Sequence, residues 1–154
     1  MIKSVLLVCT GNSCRSAMAQ GILQKLLFHL SEITIFSAGT NTQEGMPPTE
    51  YAIQATKEIG VDITQHKASP ITVEKVKTAD IVIAMTEYHR RYIIQLAGSD
   101  PKIRAKVYLL TQFSDEELLF QKDIADPIWG DIVEYRLCRD RMKKHLENFV
   151  KNFF

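Results

Sequence analysis

Two kinds of apolar pattern alternate along the chain. Unbroken apolar runs at residues 4–8, 33–37, 80–85 and 106–110 predict four short strands, and solid rather than alternating hydrophobicity suits strands buried on both faces. Between the first two runs, Ala19, Ile22, Leu23, Leu26, Leu27 and Leu30 recur at helical spacing, with Gln20, Gln24 and Lys25 off the stripe; this predicts a first helix. Pro48, then Ala52, Ala55 and Ile59, then Gly60 predict a second, with proline at the start and glycine past the end. Thr86 as N-cap and Ala97-Gly98 as terminator frame a third. Ile132, Tyr135, Leu137, Met142, Leu146, Phe149 and Val150 among dense charges predict an amphipathic terminal helix over 131–149. Residues 39–47 and 111–130 fit neither pattern. The alternation implies an α/β fold of βα units around a largely parallel sheet. Open sheets of this kind bind ligands beyond the carboxyl ends of their strands, where the strand order reverses, so the loop after the first strand is the leading candidate site.

Composition narrows the class without changing the fold. A length of 154 residues suits one domain, 1–154, and 45% hydrophobic with 24% charged residues excludes a disordered or disulfide-dense chain. Nineteen Lys and Arg against eighteen Asp and Glu leave a net charge of +1, which supplies no field for gripping nucleic acid. No apolar run reaches the roughly 18 residues that span a bilayer, and Val5-Leu6-Leu7-Val8 is too short for a signal-peptide core. The expectation is a cytoplasmic protein with no membrane or nucleic-acid partner. Three cysteines, Cys9, Cys14 and Cys138, are an odd number for a disulfide framework and are read as free thiols.

The loop after the first strand reads Cys9-Thr10-Gly11-Asn12-Ser13-Cys14-Arg15-Ser16. Gly11 and Asn12 permit unusual backbone angles, so the segment between Cys9 and Arg15 can curl into a ring. Successive backbone N–H groups then point inward and, with the positive end of the following helix, form a site for a tetrahedral anion. Cys9 at its floor, facing those donors and a guanidinium, is set up as a thiolate nucleophile. Arg15 can hold two phosphoryl oxygens at once, which a lysine cannot, and Ser16 can donate to the cysteine sulfur. A bare Cys-x5-Arg pair is weak evidence of chemistry; its position at a strand-to-helix junction on the first strand makes it informative.

These residues resemble the phosphate-binding loop of the low-molecular-weight protein tyrosine phosphatase family. Ser37-Ala38-Gly39-Thr40, Pro47-Pro48, Gly60-Val61-Asp62 leading to His66, Ala79-Asp80 to Met85-Thr86, and Asp126-Pro127 follow in that family's order and spacing. The resemblance implies a three-layer fold, a four-stranded parallel sheet flanked by helices, like phosphotyrosine protein phosphatase I. It implies hydrolysis of phosphorylated protein through a cysteinyl-phosphate, with no metal and no cofactor. By the same resemblance Asp126 is the general acid and base, Ile128 and Trp129 line the substrate slot, and Ser37 and His66 brace a strained Asn12. No Cys, His or carboxylate cluster at ligand spacing accompanies His66, so a metal-ligand role for it has no support. Cys14, close to Cys9 in sequence, is either a redox guard for it or a small buried helix-start residue. Cys138 is assigned no role, and a monomer is favoured.

Two related activities compete. Ser13 resembles the small polar residue of bacterial protein arginine phosphatases, where tyrosine phosphatases carry isoleucine. Thioredoxin-coupled arsenate reductases share the string Cys-Thr-Gly-Asn-Ser-Cys-Arg-Ser, but their mechanism needs two further redox cysteines after the third strand, and residues 86–93 contain none. Phosphotyrosine is therefore read first, phosphoarginine second and arsenate third.

Overall fold

The computed structural model describes residues 1–114 and 122–154. Four parallel strands, β1 (Ser4–Cys9), β2 (Thr34–Gly39), β3 (Ile81–Ala84) and β4 (Val107–Leu109), form a sheet in the order β2-β1-β3-β4. The order reverses at β1, whose neighbours β2 and β3 follow it in sequence on opposite sides. Their carboxyl ends therefore part around the end of β1, and the loop from Cys9 to Arg15 leaves from that crevice.

Alternation along the strands divides the core in two. Val5, Leu7, Ile81 and Ile83 face helices α1 (Arg15–Leu26), α2 (Glu50–Lys57) and α6 (Ile132–Phe153), whereas Leu6, Val8, Val82 and Ala84 face α3 (Val73–Thr78), α4 (Glu87–Leu96) and α5 (Pro101–Arg104). Both faces are covered, so β1 from Val5 to Cys9 and the whole of β3 are apolar and buried, whereas the edge strand β2 carries Thr34 and Ser37. Among the described residues no helix is long and apolar enough to cross a membrane.

Element ends follow local chemistry. Thr86 accepts from the backbone N–H of His89 and starts α4, and Gly98 at φ 77° ends it. Asp131 caps α6 through the N–H groups of Val133 and Glu134. Several boundaries differ from the hydrophobic pattern. The first helix starts at Arg15, where the loop reading places it, although the apolar stripe begins only at Ala19; its opening residues Arg15 and Ser16 are polar yet buried. The second starts at Glu50, since Thr49 is the residue whose side chain accepts from Ala52 N–H; Pro48 lies outside it. Helices α3 and α5, of 6 and 4 residues, are too short to show an apolar stripe. On α6, which runs on to Phe153, Leu137 is exposed rather than part of the buried stripe. The irregular stretch 39–47 is confirmed as lacking helix or strand beyond Gly39; of 111–130, residues 115–121 lie outside the described residues.

Helix α6 is clamped to the end of α2 by Glu58, which receives Arg136 Nη2 at 2.6 Å and Arg139 Nη1 at 2.8 Å, while Arg139 also donates to Ala55 O at 2.9 Å. Hydrogen bonds from Arg136, and then from Arg139, hold the Glu58 carboxyl down to about 2 from an ordinary 4.5. A depressed carboxylate contributes its stability in full above the unfolded value and loses it as pH falls through the folded one. The melting temperature is therefore expected to fall between pH 4.5 and 2, with a smaller fall in Glu58→Gln. Equal slopes of melting temperature against pH for the two proteins would remove the clamp from this account.

Candidate active site

Asn12 stands at φ 53°, in the left-handed region that a non-glycine residue enters at a cost of about 1–2 kcal/mol. Four hydrogen bonds hold it there. Its side-chain amide donates to Ser16 Oγ (2.7 Å) and Ser37 Oγ (2.9 Å), its Oδ1 accepts from Ser69 N (3.0 Å), and its carbonyl accepts from His66 Nε2 (2.7 Å). At roughly 1 kcal/mol each for a buried hydrogen bond, the set outweighs the strain. Because a carbonyl can only accept, the His66 bond fixes that ring's proton on Nε2.

The same amide gives the loop a direction. Ser16 Oγ accepts from Asn12, so its own proton is available to Cys9 Sγ at 2.9 Å. Asn12 N–H points at the same sulfur from 3.3 Å. Ser37 accepts from Asn12 and passes its proton to Gln20 Oε1. Two donors are thus turned on Cys9 Sγ.

The ring is closed by the backbone. Thr40 N donates to Cys9 O (2.9 Å), Asn41 N to Thr10 O (3.0 Å) and Thr49 N to Ser13 O (2.9 Å). Gly39 makes this approach possible. A Cβ there would stand 2.5 Å from Thr10 O, 2.9 Å from Thr42 Cγ2 and 3.1 Å from Asn12 Cβ. Thr10 also meets His89, with Oγ1 and Nε2 2.8 Å apart.

Arg15 is almost wholly buried, which is unusual for a guanidinium. Its Nη1 donates to Ile124 O at 2.9 Å, and its Nη2 pairs with Asp126 Oδ2 at 3.3 Å. Among the described residues its Nε has no hydrogen-bond partner. A buried cation with an unsatisfied donor beside a ring of N–H groups is a site that an anion completes. Asp126 stands over this arrangement with its side chain 38% exposed. Its Oδ1 accepts from Ile128 N at 3.1 Å and from the Cys14 thiol at 3.6 Å.

Of the sequence-predicted residues, Arg15 and Cys14 both reach Asp126, Cys9 meets Asn12 and Ser16, and Ser37 and His66 hold Asn12; Thr10, Gly11 and Ser13 complete the loop between Cys9 and Arg15. Ile128 is partly exposed and Trp129 is 95% exposed, so the indole stands in solvent beside the acid. All three cysteines are free, and each is buried. Burial, then Cys9 and Asp126, push the Cys14 thiol far up, so it remains an S–H donor to Asp126. Among the described residues no group of three or more His, Cys, Asp or Glu is arranged to hold a metal. His89 and Thr49 belong to the site but do not stand out in the sequence; only the Thr86 cap, three residues before His89, hints at the first.

The family described as low molecular weight phosphotyrosine protein phosphatase matches residues 4–153. Protein-arginine-phosphatase of Geobacillus stearothermophilus is 33% identical over 147 residues, covering 96% of this chain and 93% of the relative. Arsenate reductase of Staphylococcus aureus (strain Newman) is 31% identical over 147 residues, covering 96% of this chain and 95% of the relative. The solved structure of a low molecular weight protein tyrosine phosphatase from T. tengcongensis superposes with a TM-score of 0.84 at 30% identity, covering 98% of this chain and 99% of that one.

Replacing Gly39 with alanine sets a methyl group against backbone, which cannot swing aside as a side chain would. Gly39→Ala is expected to cost about 1–3 kcal/mol of stability. It should also weaken inorganic phosphate binding at least tenfold by calorimetry, because the ring must open. Phosphate affinity unchanged from the native protein would show that the close approach does not shape the loop.

Proposed function

The chain belongs to the low molecular weight phosphotyrosine protein phosphatase family, and on that premise we propose that it hydrolyses phosphotyrosine in proteins through a cysteinyl-phosphate intermediate. The observation that carries this reading is the convergence of Cys9 Sγ, the buried Arg15 fork and Asp126 around one ring of donors. In the first step Cys9 Sγ attacks phosphorus in line with the leaving oxygen; an S–P bond forms and the P–O bond to tyrosine breaks. Asp126 gives its proton to that oxygen. Arg15 turns from Asp126 to the phosphoryl group, and the N–H groups of the loop bear the charge that spreads over the remaining oxygens. In the second step the Asp126 carboxylate takes a proton from water, which attacks phosphorus and releases inorganic phosphate. Ser16 stabilises the departing sulfur. Ile128 and the exposed Trp129 flank the tyrosine ring, a use that fits a large apolar face left in solvent. One catalytic unit, 1–154, carries every step as a cytoplasmic monomer, with phosphorylated protein as its partner.

A specific observation favours a second reading, phosphoarginine. Ser13 sits partly exposed on the ring, its carbonyl fixed by Thr49, and a small polar side chain there leaves room for a guanidinium beside the phosphate. The name of the Geobacillus relative agrees with it. Arsenate reduction has less support. Apart from the loop cysteines the chain has only Cys138, whose thiol burial pushes up to about 12.

Initial rates on phosphotyrosine and phosphoarginine peptides test the assignment, with the tyrosine peptide expected to turn over faster; the reverse order would hand it to arginine. Arsenate reduction with a thioredoxin system at comparable rates would overturn the reaction class. Cys9→Ser is expected to abolish turnover. Asp126→Ala should lower it by about 10²–10⁴-fold while phosphate still binds; normal turnover by the serine variant would remove Cys9 as nucleophile.

A further inference from the structure

His89 lies at the third position of α4 and is 1% exposed, yet its ring reaches out of its own helix on both sides. Nδ1 lies 2.9 Å from Thr86 Oγ1, and Nε2 lies 2.8 Å from Thr10 Oγ1. Thr86 Oγ1 already accepts the His89 backbone N–H at 3.2 Å in its role as N-cap. Its hydroxyl proton is then free for Nδ1, which makes Nδ1 the acceptor and leaves the ring proton on Nε2, directed at Thr10. Burial, and then the charge of Arg15, lower the His89 pKa to about 4, so the ring is neutral at ordinary pH.

The placement of this bond gives it weight. Residues 9–14 are tied to the β2 side of the site many times over, through Thr40, Asn41, Ser37, His66 and Ser69. From the β3–α4 turn, among the described residues, they receive one bond, that of His89 to Thr10. Thr10 immediately follows Cys9, and its carbonyl is the atom that Gly39 crowds. The side chain and the carbonyl of Thr10 are thus held from opposite sides of the crevice.

We propose that His89 is a positioning residue for the phosphate-binding loop: as a neutral ring protonated on Nε2, it holds Thr10 through its hydroxyl and so fixes the first turn after Cys9. The proposal rests on the loop being the phosphate site, as set out above, and concerns a side chain that touches neither phosphate nor nucleophile.

The test is a mutant cycle read by phosphate affinity as well as by turnover. His89→Asn and Thr10→Val are each expected to weaken inorganic phosphate binding and kcat/KM by about tenfold, the scale of one buried hydrogen bond. The double variant should be no worse than either single one, because both remove the same bond. His89→Gln, whose amide N–H can take the place of Nε2–H, should return both quantities to within about twofold of the native protein. Thermal melts establish that each variant is folded, and Thr10→Val reads the bond independently should His89→Asn fail to fold. Additive losses in the double variant, native phosphate affinity in either single one, or no difference between the Gln and Asn variants would each overturn the proposal. Phosphate affinity is measured by calorimetry without any substrate, so it tests the loop even if the native chain turned over neither phosphopeptide. That last result would count against the proposed function alone.

Discussion

One residue's backbone angle organises the site. Asn12 must sit in the left-handed region for the loop to turn its N–H groups inward, and most of what holds it there comes from other parts of the chain. Ser16 is supplied by α1, Ser37 by β2, and His66 and Ser69 by the segment after α2. The strain is local but its compensation is global, so the anion site exists only once strands β1 and β2 are paired and the stretch around residues 66–69 has docked. Under the proposed function, it also explains how a chain with a net charge of +1 would attract a phosphate. The attraction is built from backbone dipoles and one buried guanidinium, with no need of a basic surface.

The β3–α4 turn performs a second integration. Met85 donates its backbone N–H to Val8 O, just before Cys9, and accepts from Ile124 N with its own carbonyl. Two residues on, Glu87 N donates to Asp123 Oδ1. The segment that carries Asp126 and the strand that ends in Cys9 are therefore hung from the same short turn. Arg15 spans the gap between them, bonded to Ile124 O and paired with Asp126. Asp126 is referenced to the end of β1 through backbone hydrogen bonds and only secondarily through side chains, a more rigid arrangement than a free surface loop would give.

How far the sequence could be read depended on whether a feature leaves a local trace. The strands were legible because burial on both faces leaves mostly apolar runs, and the ring from Cys9 to Arg15 was legible because its residues are contiguous. His66, Ser37 and Asp126 became readable only through family resemblance, since no local pattern joins residues so far apart. The start of α1 at Arg15 was legible from the loop motif and not from the apolar period, because Arg15 and Ser16 are buried polar side chains that interrupt the period marking a helix. Leu137 misled in the other direction: it continues the apolar spacing of α6 but faces solvent. His89 left only the indirect trace of the Thr86 cap before it, because its polar ring is buried by contacts that exist only in the folded crevice.

The chain contains a single tryptophan, Trp129, three residues from Asp126 and almost wholly in solvent. An indole in water emits at long wavelength, and emission shifts to the blue when the ring is covered. With no second tryptophan to dilute the signal, the protein carries an intrinsic optical probe at the rim of its own site. Occupancy by a bulky phosphorylated side chain should be visible as colour as well as rate, and a bare inorganic phosphate, too small to reach the ring, should be spectroscopically silent.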